Sequence, residues 1–322
     1  ILNSLPELRV RFSGRYSEFD AAEADFTDSR FIGEQALGQV DFSYNAFQHE
    51  ELFLDVIAGG RFHRVEFDNR LQGLSDDADF WVPRFGLRAE RFTQISKLSL
   101  GAGVEAGFTG ADLEARTNLG NPEPADEFVV ARFDGRLAFF LEPLLDRQAW
   151  EDVETPRSST LAHEIELRTR GQWAFNYRLV PQYQQTAGGL FSVRGYKQAA
   201  IAGDNLILGT AEYRLHVPRL FAPDPEPPVL PLVGEFRVRP RSVYGQPDWD
   251  LVLKLFSDAG RVHSNRRISS ESHETLVSVG GGMELQLFRN LKLQLDAGHV
   301  LDSVGSSKSG DTRGHVLATL AY

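Results

Sequence analysis

Cysteine is absent from the 322 residues, so neither a disulfide framework nor a zinc–cysteine site can be built from this chain. Long apolar runs are lacking too. The stretch Leu137-Ala138-Phe139-Phe140-Leu141 falls far short of the roughly 18 residues a membrane-spanning helix requires, which excludes a helical membrane protein. Basic charge is in deficit, with 34 Lys and Arg against 45 Asp and Glu and a formal net charge of −11. That balance argues against nucleic acid as a partner, because a phosphate-binding surface needs a cationic stripe. The chain starts at Ile1 with no basic segment leading into an apolar one, so any secretory signal is expected to be removed or to lie upstream.

Catalytic motifs are equally scarce. The sequence contains no His-Glu-x-x-His, no Gly-x-Ser-x-Gly and no Walker loop. Gly101, Gly103 and Gly107 fall within an alternating segment, not at the strand-to-helix turn of a dinucleotide site. The eight histidines are scattered and read as solvated or interior side chains, with no metal site. Glu164 and Glu166 suggest acid–base chemistry only weakly, since a polar interior needs such groups anyway. The expectation is no enzyme and no cofactor.

What the chain has in abundance is alternation with a period of two. Twelve segments show it, near 7–19, 36–46, 51–67, 80–92, 97–109, 127–141, 160–172, 205–217, 250–260, 275–287, 291–299 and 313–322. In one, Val277, Val279, Gly281, Met283, Leu285 and Leu287 alternate with Ser278, Gly280, Gly282, Glu284 and Gln286. In its neighbour, Leu291, Leu293, Leu295 and Ala297 alternate with Lys292, Gln294, Asp296 and Gly298. The charges fall opposite the aliphatics. A soluble β-sandwich would alternate as well. The runs, however, mostly reach the roughly 9–11 residues of a tilted membrane strand, whereas ordinary strands average about 5–6.

The fold class expected is therefore all-β, a transmembrane antiparallel up-and-down β-barrel of twelve strands, with fourteen or sixteen as alternatives. Connections alternate in length. Tight turns at 47–50, 93–96 and 288–290 belong on the periplasmic side, and longer loops at 20–34, 69–79, 110–126, 173–204, 261–274 and 300–312 face outward. Two periplasmic connections break the rule, at 142–159 and at the proline-rich 218–249, where an extra strand pair around Val233–Val238 would give fourteen strands. No boundary divides the chain, so residues 1–322 are read as one barrel domain.

The longest outer loop carries Gly188-Gly189-Leu190-Phe191-Ser192-Val193-Arg194-Gly195-Tyr196, followed by Gly203-Asp204 and Glu212-Tyr213-Arg214. Further on comes Phe256-Ser257-Asp258-Ala259-Gly260-Arg261-Val262. The Val-Arg-Gly-Tyr element (Val193, Arg194, Gly195, Tyr196) resembles the inward-folded loop of the outer-membrane polypeptide-transport superfamily. Phe256, Asp258 and Gly260 are similar to that superfamily's Phe-x-Asp-x-Gly element. Its members include two-partner secretion transporters and barrel-assembly proteins. The resemblance is fullest from about Phe128 to Tyr322.

The resemblance implies that the loop plugs the lumen and that Arg194 pairs there with Asp258. Alternation independently permits this. Leu251, Leu253 and Leu255 facing out send Lys254, Phe256 and Asp258 in, and Ile207, Ala211, Tyr213 and Leu215 facing out send Glu212 and Arg214 in. A guanidinium and a carboxylate can then form two parallel hydrogen bonds, which a lysine could not. The last strand ends in Tyr322, like the terminal signal read by the barrel-assembly machinery.

The family's barrels have about sixteen strands preceded by POTRA domains, neither of which this chain supplies. By resemblance, the expected setting is the outer membrane of a Gram-negative-type bacterium, and the expected function is translocation or insertion of an unfolded polypeptide client by a monomer surrounded by outer-membrane lipids. A passive diffusion porin and a structural barrel are the alternatives.

Overall fold

The computed structural model describes residues 8–22, 30–69, 74–145, 161–231, 234–266, 274–288 and 290–321. Twelve strands form one sheet in the order of the sequence, each antiparallel to its neighbours. They are β1 (Leu8–Ala22), β2 (Arg30–His49), β3 (Leu52–Asn69), β4 (Leu74–Phe92), β5 (Ser96–Thr109) and β6 (Glu127–Phe140). β7 (His163–Trp173), β8 (Asn205–His216), β9 (Trp249–His263), β10 (Glu274–Leu287), β11 (Leu291–Val300) and β12 (Thr312–Leu320) complete the sheet. This up-and-down arrangement of long strands is the fold of outer-membrane β-barrels. Among the described residues no ladder joins β1 to β12.

The two faces invert the rule of soluble proteins. Phe12, Trp81, Phe85, Leu100, Leu253, Met283 and Val316 are exposed on the convex face, with Leu255 65% exposed. Charged side chains are buried on the other, among them Glu105, Glu166, Glu212, Lys254, Asp258 and Asp296. In lipid this is the stable arrangement, because ladder hydrogen bonds satisfy the backbone and aliphatic groups meet hydrocarbon. The sheet curls enough for one loop, residues 174–204, to touch both β3 and β12: Tyr183 meets His63, and the Gly195 amide donates to His315.

Two outer hairpins are longer than alternation indicates. The loops expected at 20–34 and 69–79 shrink, since β2 starts at Arg30 and β4 at Leu74. The pairs Arg64↔Asp79, Glu66↔Asp77 and Asp68↔Ser75 continue the ladder, with Arg64 bridging Glu66 and Asp77. Polar groups occupy the outer face there, so the apolar period fades while the backbone pairing persists.

The extra strand pair considered around Val233–Val238 is not part of the barrel sheet. The segment holds only a ribbon of Val229–Leu230 against Gly234–Glu235, and Val233 lies outside the described residues. Pro223, Pro225, Pro227 and Pro228 supply no N–H and cannot extend a ladder, so the sheet holds twelve described strands, not fourteen or sixteen. Alternation also passed over two short helices, α1 (Leu113–Asn118) and α2 (Glu142–Leu145). The first is capped by Asp112, whose carboxylate accepts from the Ala115 amide at 2.8 Å. Residues 146–160 and the terminal Tyr322 lie outside the described residues.

Candidate functional site

Residues 174–204 leave β7, turn into the concavity of the sheet and return to β8. Their neck is a ribbon of Gln185–Ala187 against Ile201–Gly203. Gly188, Gly189 and Gly195 take positive φ values of 110°, 97° and 96°, conformations open to glycine at little cost. The tip then seats Val193 and Tyr196, both fully buried, in an apolar cluster with Leu206, Leu208, Val262, Leu276 and Val300 from the sheet wall.

Between those two anchors, Arg194 makes a dense set of polar contacts. Its Nε and Nη2 donate to the two oxygens of Asp258 at 2.7 and 2.9 Å, and its backbone amide donates to the same carboxylate at 3.1 Å. Nη1 donates to Glu212 at 2.8 Å and to Asp296 at 3.1 Å. The guanidinium plane also covers Phe256, with the central carbon 3.3 Å from the ring centroid. Burial opposes the charge, but the bonds to Asp258 and then Glu212 outweigh it and hold the Arg194 pKa above its ordinary value. Asp296 is shared with Lys254, whose Nζ lies 2.6 Å away. Arg214 bridges Glu212 and Glu164 at 2.9 and 3.1 Å and extends the network towards the opposite end of the strands.

The wall beside Arg194 is cut away to admit it. A Cβ on Gly298 would lie 2.5 Å from the Gly195 nitrogen and 2.6 Å from the Arg194 carbonyl carbon. One on Gly260 would come within 2.5 Å of Leu208 and 3.0 Å of Val193. Tyr196 fixes the far side of the turn, its hydroxyl donating to the Asp302 carbonyl at 2.6 Å.

A second anchor holds the start of the loop against the other side of the sheet. Tyr183 packs at tilted and edge-on angles among Phe128, Phe80 and His63 with centroid distances of 4.7, 5.2 and 5.5 Å, and its hydroxyl lies 3.1 Å from His63 Nδ1. Burial pushes its phenol up to about 12, so it stays neutral. Gln172 donates to the Tyr183 and Asp204 carbonyls, both at 2.9 Å, while accepting from Arg132 at 2.8 Å. Asp204, with no exposed surface, closes the neck: Oδ1 accepts from the Leu179 amide and the Gln184 side chain at 3.0 Å each, and Oδ2 from the Asn265 amide at 2.7 Å.

With this geometry in view, two solved structures match the chain over 98% of its length. They are CdiB from Escherichia coli, with a TM-score of 0.69 and 17% identity, and CdiB from Acinetobacter baumannii, with 0.64 and 15%. The likeness is one of fold. The chain spans 51% and 48% of those two structures' own lengths. No family model matches the sequence, and no curated protein does.

The structure thus brings together Val193, Arg194, Gly195 and Tyr196 with Phe256, Asp258 and Gly260, and it places Glu212, Arg214 and Lys254 in the same buried network. Sequence reasoning did not single out Tyr183, Gln172 or Asp296 as loop partners. Gly203-Asp204 belongs to the motif region, but nothing in the motif shows the carboxylate's part in closing the neck. Periodicity could have flagged Asp296 as a third inward acid near Asp258. For Tyr183 no signal existed, since its ring partners lie far off in sequence, on β3, β4 and β6.

Proposed function

We propose that the chain forms the wall and plug of an outer-membrane protein that moves polypeptide across or into that membrane, with residues 174–204 as the plug. A two-partner-secretion type of transport, with an unfolded exoprotein as client, suits the Val-Arg-Gly-Tyr and Phe-x-Asp-x-Gly elements; assembly of other barrels is the second form of the same activity. The observation that carries this reading is the seating of Arg194 on three inward carboxylates, which holds a loop inside the space a client would cross. A porin needs no such anchor, and a structural barrel needs no cleared wall at Gly298. Charge-assisted bonds of this kind fix a position yet can be exchanged for others when a segment is displaced.

The test is secretion of the client by cells carrying Arg194→Ala in the full-length protein. The barrel should still assemble, as judged by its heat-modifiable migration, while secretion or insertion falls. Unaltered client transport by an assembled variant would defeat the proposal, as would steady, porin-like conductance of the parent unchanged by deleting the loop.

A further inference from the structure

On β1 to β7, the lumen-facing positions carry more basic than acidic side chains, although the chain as a whole has a net charge of −11. Several of these cations are already engaged: Arg61 and Arg132 share Glu105, and Arg84 lies near Asp41. Four are not. Among the described residues Arg11 and Arg15 on β1, Arg88 on β4 and Arg170 on β7 make no ion pair, and all four are solvent-exposed within the concavity. Their placement follows from register: Arg15 stands opposite Leu37 and Arg88 opposite Asp55, which is engaged by Arg9.

Two cavities flank the plug, and each opens onto one of these groups. One, of about 340 Å³, is lined by Arg15 and by Gln182 of the plug. The other, of about 240 Å³, is lined by Arg170 and by Phe191, which is 69% exposed at the plug's tip. A small anion would require guanidiniums converging on one point. Instead the four cations are spread over three strands, with Arg11 and Arg15 about 13 Å apart along β1 at the usual strand rise. Spread cations beside an exposed aromatic ring suit an extended, multivalent ligand.

We propose that the β1–β7 side of the lumen is a binding track for acidic, extended polypeptide segments, with Arg11, Arg15, Arg88 and Arg170 as the charge contacts and Phe191 as the apolar one. This deepens the transport reading and rests on it, since it names the class of client segment that the open side of the lumen receives. The guanidiniums contact carboxylates in passing and, being exposed, release them readily, since exposed ion pairs are individually weak.

The test is fluorescence anisotropy of labelled Glu-rich and Lys-rich unstructured peptides titrated with the full-length protein in zwitterionic micelles. The Glu-rich peptide should bind, and its affinity should fall at least about tenfold when Arg11, Arg15, Arg88 and Arg170 are all changed to Gln; the Lys-rich peptide should bind no more weakly to that variant. Binding of the Glu-rich peptide should weaken as the Debye length shrinks from about 10 Å at 0.1 M salt to about 3 Å at 1 M. A control variant with Arg237, Arg239 and Arg241 changed to Gln, outside the sheet, should leave the affinity unchanged.

An equal loss in that control, no binding of the Glu-rich peptide, or displacement by inorganic phosphate at equal charge would overturn the proposal. Should the fourfold variant fail to assemble, Arg88→Gln and Arg170→Gln singly must each weaken the Glu-rich peptide. Loss of the acidic preference with client secretion intact removes only this inference. Retained preference in a protein that transports no polypeptide removes the transport reading instead.

Discussion

The guanidinium of Arg194 lies flat on the ring of Phe256 while its edge grips both oxygens of Asp258. One side chain therefore meets its partners in two perpendicular directions, and only a planar cation can do both. Lys in its place would keep the charge near Glu212 and Asp296 but lose the fork and the stacked face. Because the chain has no cysteine, a single Val193→Cys supplies a buried reporter whose maleimide labelling reads how often the plug lifts. Adding Arg194→Lys should raise the labelling rate about tenfold or more, equivalent to about 1.4 kcal/mol or above. Equal rates would show that charge alone holds the loop.

Gly298 offers a test that leaves every polar partner in place. The added methyl of Gly298→Ala would press on the backbone of Arg194 and Gly195, which cannot rotate away as a side chain would. Overpacking of this kind typically costs about 1–3 kcal/mol. Labelling at Val193→Cys should again accelerate while the barrel still assembles. Gly209→Ala, where a Cβ meets nothing within 4 Å, should be silent in the same assay. If both variants label alike, the close approach seen at Gly298 does not govern the plug.

How much of this could be read from the sequence depends on which forces leave a period. Alternation located all twelve strands, because lipid on one side and water on the other impose opposite polarity on successive residues. It failed at the outer ends of β2, β3 and β4, where water lies on both sides and only the ladder continues. Arg194 and Asp258 were legible as a motif pair; the inward direction of Asp258 followed from parity, that of Arg194 only from the resemblance. Tyr183 ends a single 3-10 turn and Asp204 sits between strands, and their partners are backbone amides or distant rings, contacts that no local pattern encodes.

Tyr183 leads to a prediction about the plug as a body. Its ring is enclosed by Phe128, Phe80 and His63, so Tyr183→Ala should cost about 3–5 kcal/mol locally, and Tyr183→Phe only about 1 kcal/mol for the bond to His63. Among the described residues, the side chains that bond or stack with Arg194 are not those that do so with Tyr183. Labelling of Leu179→Cys, next to the second anchor, should therefore rise more in Tyr183→Ala than labelling of Val193→Cys. Equal acceleration at both reporters would mean that the plug leaves the wall as one rigid unit.

Asp204 separates the neck from both anchors. Its two oxygens accept three N–H donors, from Leu179, Gln184 and Asn265, in a place with no access to water. Asp204→Asn preserves shape but replaces one oxygen with an NH2 group. Whichever way the amide turns, two donors then face each other, either at the Asn265 amide or at the Leu179 and Gln184 pair. A buried donor left without an acceptor costs about 1–3 kcal/mol, and the lost negative charge weakens the remaining bonds further. Hydrogen exchange should report it: the Leu179 and Asn265 amides should lose about one to two decades of protection, while the Arg194 amide, bonded to Asp258, keeps its own. Protection lost equally at Arg194 would show that the neck, and not the carboxylate triad around the guanidinium, is what keeps the plug seated.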